Sequence, residues 1–300
     1  VFNCTGKMEV IKKMREEKGG KIFIKDEDVV SKKIQNLIDG GVDSFQVISD
    51  FDRTLSRASY NGEKCTTCHG ILESSIVFNE ETQKDLAALK KRFYAIEIDP
   101  TMTIEEKCPY MVEWWETAHK IMIKSKVKRT SIQQAVTESN VILKDNCKEM
   151  FQILNQNSVP LLIFSAGIAD VLMEVLYQKS SFLPNIKVVS NFMKFDENGV
   201  LVGFEGELIH VYNKNEGALT DSAYWYFEDI KHRHNICLLG DSMGDLHMAD
   251  GVPDVNTCLK IGYLNEKVEH LLPRYIDAWD IVLVDDPTMD VANVLFAAIT

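Results

Sequence analysis

The feature that most restricts how this chain can fold is a pair of short apolar runs that each end in acids. Phe45 to Ile48 leads into Asp50-Phe51-Asp52-Arg53-Thr54, and Ile236 to Leu239 leads into Gly240-Asp241-Ser242-Met243-Gly244-Asp245. Runs this short and apolar read as buried strands. Side chains alternate along a strand, so Asp50 and Asp52 leave the same face where the first strand frays into a loop. Two acid-tipped strands nearly two hundred residues apart can converge at the carboxyl edge of one parallel sheet. Open α/β sheets bind their ligands at that edge.

Carboxylates that close repel each other unless a cation lies between them or one holds a proton. The arrangement suits phosphoryl transfer. One carboxylate attacks phosphorus, the other handles the leaving-group proton, and Mg2+ neutralises charge. A strand followed by an Asp-rich turn is the plain structural alternative. The spacing alone allows either acid in either role.

The rest of the pattern is strand–helix alternation with one long interruption. Asp26 to Gly40 reads as a helix, with Val30, Ile34 and Leu37 at helical spacing and Gly40-Gly41 as its stop. Helical patterns then fill Arg57 to Asn155, over Glu80 to Phe93, from Thr103 (a capping box with Glu106), from Ser131, and over Val141 to Asn155. That is too long for a simple crossover. It reads as an inserted helical cap over residues 57–155. Residues 1–56 and 156–300 then form an α/β core, a doubly wound parallel sheet with helices on both faces. In the second part, strands are expected at Val159 to Phe164, Ile186 to Val189, Val200 to Phe204, Ile209 to Tyr212, Asn235 to Leu239, Leu259 to Tyr263 and Ala278 to Val284. Helices are expected at Ile168 to Gln178, Asp221 to His232 and Val291 to Ile299.

Composition enters as a set of exclusions. A net charge of −12 argues against nucleic-acid polymers and anionic membranes, which require a basic face. It leaves room for a small phosphorylated substrate beside a bound cation. No apolar run reaches about 18 residues, so no membrane-spanning helix is expected. Val1 to Gly20 lacks the apolar centre of a signal peptide, and seven scattered cysteines suit free thiols in a reducing cytoplasm. Cys65-Thr66-Thr67-Cys68-His69 has haem-attachment spacing and could be half a zinc site, with Cys108 and His119 as candidate completing ligands. The plain reading is a loop with two thiols near the mouth of the site. No heptad run suggests obligate assembly, and a monomer is expected.

The motifs Ser49-Asp50-Phe51-Asp52-Arg53-Thr54-Leu55-Ser56, Cys108-Pro109-Tyr110-Met111-Val112-Glu113-Trp114, Phe164-Ser165-Ala166-Gly167 and Leu239-Gly240-Asp241-Ser242-Met243-Gly244-Asp245 occur in an order that resembles the cytosolic 5′-nucleotidase III family. That family belongs to the haloacid dehalogenase (HAD) superfamily, and within it the chain looks most like the 7-methylguanosine phosphate-specific branch. The likeness runs from about Glu27 to the C-terminus. It implies a HAD-like core, with Asp50 as nucleophile and Asp52 as general acid and then base. It implies Mg2+ held by Asp50, Asp241 and the backbone carbonyl of Asp52. Asp245 reads either as an acid behind the metal or as a helix cap.

Ser165, Ala166 and Gly167 follow a strand and open a helix, where a hydroxyl and backbone N–H groups can cradle phosphate; an ordinary capping serine is the alternative. The resemblance favours the cradle. It also selects Lys214 as the cation on the phosphate, ahead of Lys187 and Lys194. Trp114 and Trp115 point about 100° apart on a helix. Trp115 falls on the apolar stripe, whereas Trp114 is off it with Tyr110 one turn earlier. Trp114 could therefore stack on a base, and 7-methylguanine is a cation, for which Trp is the best aromatic partner. By family position Glu97 meets the base edge, where a carboxylate suits N–H donors. Ala118 stands where relatives often carry Ser, which leaves base preference open.

The expected function is therefore a Mg2+-dependent nucleoside 5′-monophosphate phosphohydrolase that favours 7-methyl-GMP and also accepts CMP. Two alternatives stand beside it. One is a pyrimidine-preferring 5′-nucleotidase that passes the phosphoryl group to another nucleoside. The other is a non-catalytic nucleotide-binding module on the same fold.

Overall fold

The two acid-tipped runs are neighbours. In a computed structural model, which describes residues 5–17, 19–99, 101–214 and 230–300, Phe45–Ser49 is strand β2 and Asn235–Gly240 is strand β8. They pair in parallel with Val47 opposite Cys237 and Ser49 opposite Leu239. On its other side β2 pairs in parallel with β5 (Leu161–Ile168), with Val47 opposite Leu161. The register is level enough for the Asp50 N–H to donate to the Leu239 carbonyl at 2.9 Å. Both acid loops thus start from one edge of one sheet.

Eight strands make that sheet, in the order β1-β10-β9-β8-β2-β5-β6-β7. The outer members are β1 (Lys21–Phe23), β10 (Ile281–Val284), β9 (Thr257–Leu264), β6 (Ile186–Phe195) and β7 (Leu201–Glu205). Only the edge strands β1 and β7 run antiparallel; the six between are parallel. Parallel strands need both faces covered, which is why these runs are nearly continuously apolar. Alternation sorts them into two cores. Val47, Leu161, Ile163, Cys237 and Leu239 join one buried cluster with Leu37, Phe151, Leu172 and Phe296. Ile48, Leu162, Phe164, Ile236 and Leu238 join another with Tyr275 and Trp279.

Between β2 and β5 lie a two-residue hairpin, β3 (Ser59–Tyr60) with β4 (Glu63–Lys64), and five helices. These are α3 (Cys68–Glu73), α4 (Glu80–Glu97), α5 (Ile104–Lys124), α6 (Arg129–Glu138) and α7 (Cys147–Gln156). Thr103 and Glu106 form the predicted capping box at the start of α5. Ahead of them come α1 (Thr5–Glu16) and α2 (Glu27–Gly40); behind come α8 (Ala169–Lys179), α9 (Val268–Ala278) and α10 (Asp290–Ile299). The insertion leaves and rejoins the core through a narrow neck. The Arg57 N–H donates to the Ile142 carbonyl and the Lys144 N–H to the Leu55 carbonyl, both at 2.8 Å. Past the neck, α7 packs on α10.

Several expectations need correction. The helix expected from Val141 starts only at Cys147, because the neck holds Ser56 and Leu143 in an antiparallel bridge and Asn146 turns the chain at φ 60°. Residues 165–168 continue β5, so the helix begins at Ala169 rather than at Ile168. Ile209 to Tyr212 is not a strand. Its backbone is satisfied by amide side chains instead of a ladder: Asn191 takes both the N–H and the carbonyl of Ile209, and Asn213 takes the His210 N–H. The helix expected over Asp221 to His232 falls mostly on residues 221–229, outside the described residues.

Two glycines let the second acid loop close up. A Cβ on Gly240 would lie 2.5 Å from the Asp245 Cβ, and one on Gly244 would lie 2.1 Å from the Val211 carbonyl oxygen. The Gly244→Ala variant is expected to lose about 1–3 kcal/mol of stability by overpacking against backbone. Urea denaturation checks this; wild-type stability would show that the Val211 loop can retreat.

Candidate active site

Asp50 is buried at the tip of β2. Its Oδ2 accepts the Thr54 hydroxyl at 3.0 Å and its Oδ1 accepts the Lys214 ammonium at 2.5 Å. Lys214, itself buried, donates also to Asp245 Oδ1 at 2.7 Å. The other Asp245 oxygen accepts the N–H groups of Asp241 and Ser242 and the Ser242 hydroxyl, at 2.9–3.1 Å. Asp245 therefore completes the capping box of the 3₁₀ turn Met243–His247 with Ser242, and its other oxygen meets Lys214 beside Asp50. Of the three lysines weighed, only Lys214 reaches them; Lys187 and Lys194 lie on β6 and do not line the cavity described below.

Burial pushes Asp50 up to about 7, with Lys214 pulling down and Asp245 and Asp52 pushing up. Burial, then Asp50 and Asp245, drive Asp241 well above the ordinary carboxylate range. For Lys214 burial works against the charge, but Asp245 and Asp50 outweigh it and the ammonium is held charged. Oxygens of Asp50, Asp241 and Asp245 all lie within 4.8 Å of one another. Two buried acids and the half-buried Asp241 face the Lys214 ammonium and the nearby Arg53 guanidinium, which leaves an excess of negative charge, and an all-oxygen donor set suits a hard divalent cation such as Mg2+.

The Asp52 carboxylate points away from that cluster. It accepts the Cys68 N–H, at 2.9 and 3.2 Å, at the first turn of α3. Burial raises its pKa, against the pull of the Cys68 hydrogen bonds. Asp50 thus has an ammonium in direct contact, whereas Asp52 has the Cys68 backbone and thiol donors and only more distant charges. Such unequal surroundings separate the titrations of paired acids.

Ser165 and Ala166 sit on the same sheet edge, on β5 beside β2. The Ser165 Oγ accepts the Gly167 N–H at 3.0 Å. The Ala166 carbonyl is held from two sides, by the Trp115 indole N–H at 2.9 Å and the Asn191 amide at 3.0 Å. The stripe that assigned Trp115 to the helix core is therefore incomplete. Trp115 is half-buried and ties α5 to the end of β5.

Asp50, Asp52, Trp115 and Ala166 line one cavity of about 730 Å³ between the sheet edge and α3–α5, whereas the buried Ser165 and Asp245 are not part of its wall. Trp114 lines it, stacked on Phe93 at 6.0 Å and edge-on to Trp115 at 4.9 Å. Tyr110 stays exposed and is not part of its wall. Glu97, Ala118, Asp241 and Lys214 also line it. Burial raises the Glu97 carboxyl, with Arg53 and Lys107 opposing. Among the wall residues that the sequence reading did not assign to the site are Arg53, His69, Lys107 and Tyr212. Arg53 lay inside the first motif and His69 beside Cys68, so position in the sequence was the available signal for both. His69 packs edge-on to Trp115 at 5.8 Å. Among the described residues, Cys65, Cys68, Cys108 and His119 form no ligand cluster, and the cysteines are free thiols.

Comparison with known proteins follows this geometry. The family model described as pyrimidine 5′-nucleotidase (UMPH-1) matches residues 53–300. The chain is 52% identical over 254 residues to the human 7-methylguanosine phosphate-specific 5′-nucleotidase, covering 85% of this chain and 84% of that one. It is similar to the crystal structure of cytosolic 5′-nucleotidase IIIB bound to cytidine, with a TM-score of 0.87 and 33% identity over 97% of this chain and 96% of that one. A probable phosphoserine phosphatase from Vibrio cholerae is similar in fold, with a TM-score of 0.54 and 16% identity over 88% and 67% of the two chains.

The buried ammonium yields a stability prediction. Lys214→Met leaves Asp50 and Asp245 without their counter-charge and should cost about 3–5 kcal/mol. Adding Asp245→Asn to that variant should restore part of the loss. Urea denaturation in the presence of chelator measures both; a fully stable Lys214→Met would show that the acids do not need the ammonium.

Proposed function

The chain belongs to the pyrimidine 5′-nucleotidase (UMPH-1) family, and on that premise we propose that it hydrolyses 7-methyl-GMP, and also CMP, through an aspartyl-phosphate on Asp50. The observation that carries this reading is the buried Asp50–Lys214–Asp245 chain of contacts beside Asp241, with Asp52 held separately by α3. Asp50, Asp241 and the Asp52 backbone carbonyl would hold Mg2+, which when bound neutralises phosphate charge; Asp245 stands close enough to support it.

In the first step an Asp50 carboxylate oxygen attacks phosphorus while the bond from phosphorus to the nucleoside 5′ oxygen breaks. Asp52 gives that oxygen its proton, and the nucleoside leaves. In the second step water attacks phosphorus and yields its proton to Asp52. The bond between phosphorus and Asp50 breaks and inorganic phosphate departs. Before attack Lys214 favours the ionised form of Asp50 against its burial, and it holds that side chain in place. Ser165 and the Ala166 backbone N–H hold the phosphate oxygens.

The 57–155 insertion is the proposed cap, with α3–α5 over the cavity and α7 on the core side of the neck. There, Glu97 accepts base N–H groups, and Trp114 offers its π face to the positive charge of 7-methylguanine. The relatives named 7-methylguanosine phosphate-specific support that choice of base. A second reading, preference for pyrimidine nucleotides, is favoured by the family description and by the relative bound to cytidine. The cytosolic name of that relative also supports a cytoplasmic location.

Phosphate release from 7-methyl-GMP, GMP, CMP, UMP and AMP, with Mg2+ and with chelator, tests these readings. The expected result is complete metal dependence with 7-methyl-GMP first; pyrimidines first would keep the chemistry and change the substrate. Asp50→Asn should lower kcat at least about a thousandfold; full turnover would remove Asp50 as nucleophile. Trp114→Ala should cut the preference for 7-methyl-GMP over GMP by roughly 2- to 30-fold. Unchanged preference would take Trp114 out of the base site.

A further inference from the structure

Glu97 ends α4, so its carbonyl has no partner within its own helix. Two donors from elsewhere meet it. The Lys107 ammonium, on α5 and only 7% exposed, donates at 2.8 Å, and the Tyr212 hydroxyl donates at 2.9 Å. The Lys107 charge complements the negative end of the α4 dipole. Tyr212 belongs to the core side, two residues before Lys214.

The loop that carries both Tyr212 and Lys214 is stiff. Asn213 bonds the Leu208 carbonyl and the His210 N–H, and the Tyr212 N–H donates to His210 Nδ1. Asn191 ties Ile209 in that loop to the Ala166 carbonyl at the phosphate end. One short segment therefore touches the acids through Lys214, the phosphate loop through Asn191, and the end of α4 through Tyr212.

We propose that the Tyr212–Glu97–Lys107 node is a latch that seats the base-reading end of the insertion on the loop carrying Lys214. Tyr212 and Lys107 are positioning residues for specificity: they act through Glu97 and set where its carboxylate meets the base. The latch rests on the reading of Glu97 as a base contact, but it uses the Glu97 carbonyl, not the carboxylate. The two ideas can therefore be tested apart.

Tyr212→Phe removes only the hydroxyl. It should raise KM for 7-methyl-GMP about fivefold or more, because a buried acceptor loses a donor, with kcat within about twofold by the same argument. Ribose 5-phosphate, which has the same sugar and phosphate but no base, should be hydrolysed as by the wild type. Lys107→Met should act in the same direction, and Lys107→Arg should recover most of the loss. The double variant should be worse than the product of the singles, since the carbonyl then has no donor.

Equal losses on both substrates, no loss on either, or strictly multiplicative singles would overturn the latch. Glu97→Ala keeps the carbonyl and removes the carboxylate. If its base discrimination equals the wild type, the base-contact reading fails whatever Tyr212→Phe does, and the latch loses its role in specificity with it.

Discussion

Three carboxylates gathered in one small space cannot all stay ionised without cations among them, and the fold sets the Lys214 ammonium in contact with Asp50 and Asp245 and the Arg53 guanidinium near Asp241. Everything near the sheet edge is arranged around that condition. Parallel pairing of β2 with β8 brings Asp50 and Asp241 to the same level. Gly240 and Gly244 let the second acid loop turn tightly enough for Asp245 to face inward. The loop at 208–214 gives up strand structure for amide-capped turns, and so delivers a lysine from outside the sheet. Desolvation makes each of these charges expensive alone, and their mutual contacts offset that cost.

The parts of this arrangement that were legible in the sequence are those encoded by period and by punctuation. Apolar runs ending in acids gave the strands and their shared edge, and the Thr103–Glu106 box gave the start of α5. Asp50, Asp52 and Asp241 could be named in advance because short motifs carry them, and Lys214 by its family position; the fold brings these four to one cavity, while Ser165 stays behind its wall. What stayed hidden depends on contacts between distant segments. Nothing about Tyr212 or Lys107 in the sequence marks a shared carbonyl at residue 97. Trp115 looked like core because it lies on the apolar stripe, yet its one polar atom finds the Ala166 carbonyl. Hydrophobic periodicity records which face a residue is on and is silent about a single N–H. The start of α7 was misplaced for the same reason: Leu143 is apolar whether it sits in a helix or in a bridge with Ser56.

The two catalytic candidates also show how one motif yields two environments. Asp50 and Asp52 are separated by a single residue, but Asp50 stays with the core lysine while Asp52 is held by a backbone N–H of the inserted α3. The difference between the acids is thus written by which structural layer each one touches.

The neck has a consequence beyond holding the insertion in place. Where the chain departs at Leu55–Arg57 and returns at Ile142–Lys144, the two ends are a hydrogen bond apart. Closing a loop between ends already in contact costs entropy that grows only slowly with loop length. The neck itself therefore tolerates changes of length in the segment it encloses. What anchors that segment to the sheet edge is a short set of contacts, the Cys68 N–H on Asp52, Trp115 on the Ala166 carbonyl and Tyr212 on the Glu97 carbonyl. The stretches between those anchors are where length and sequence can vary at least cost to the acids.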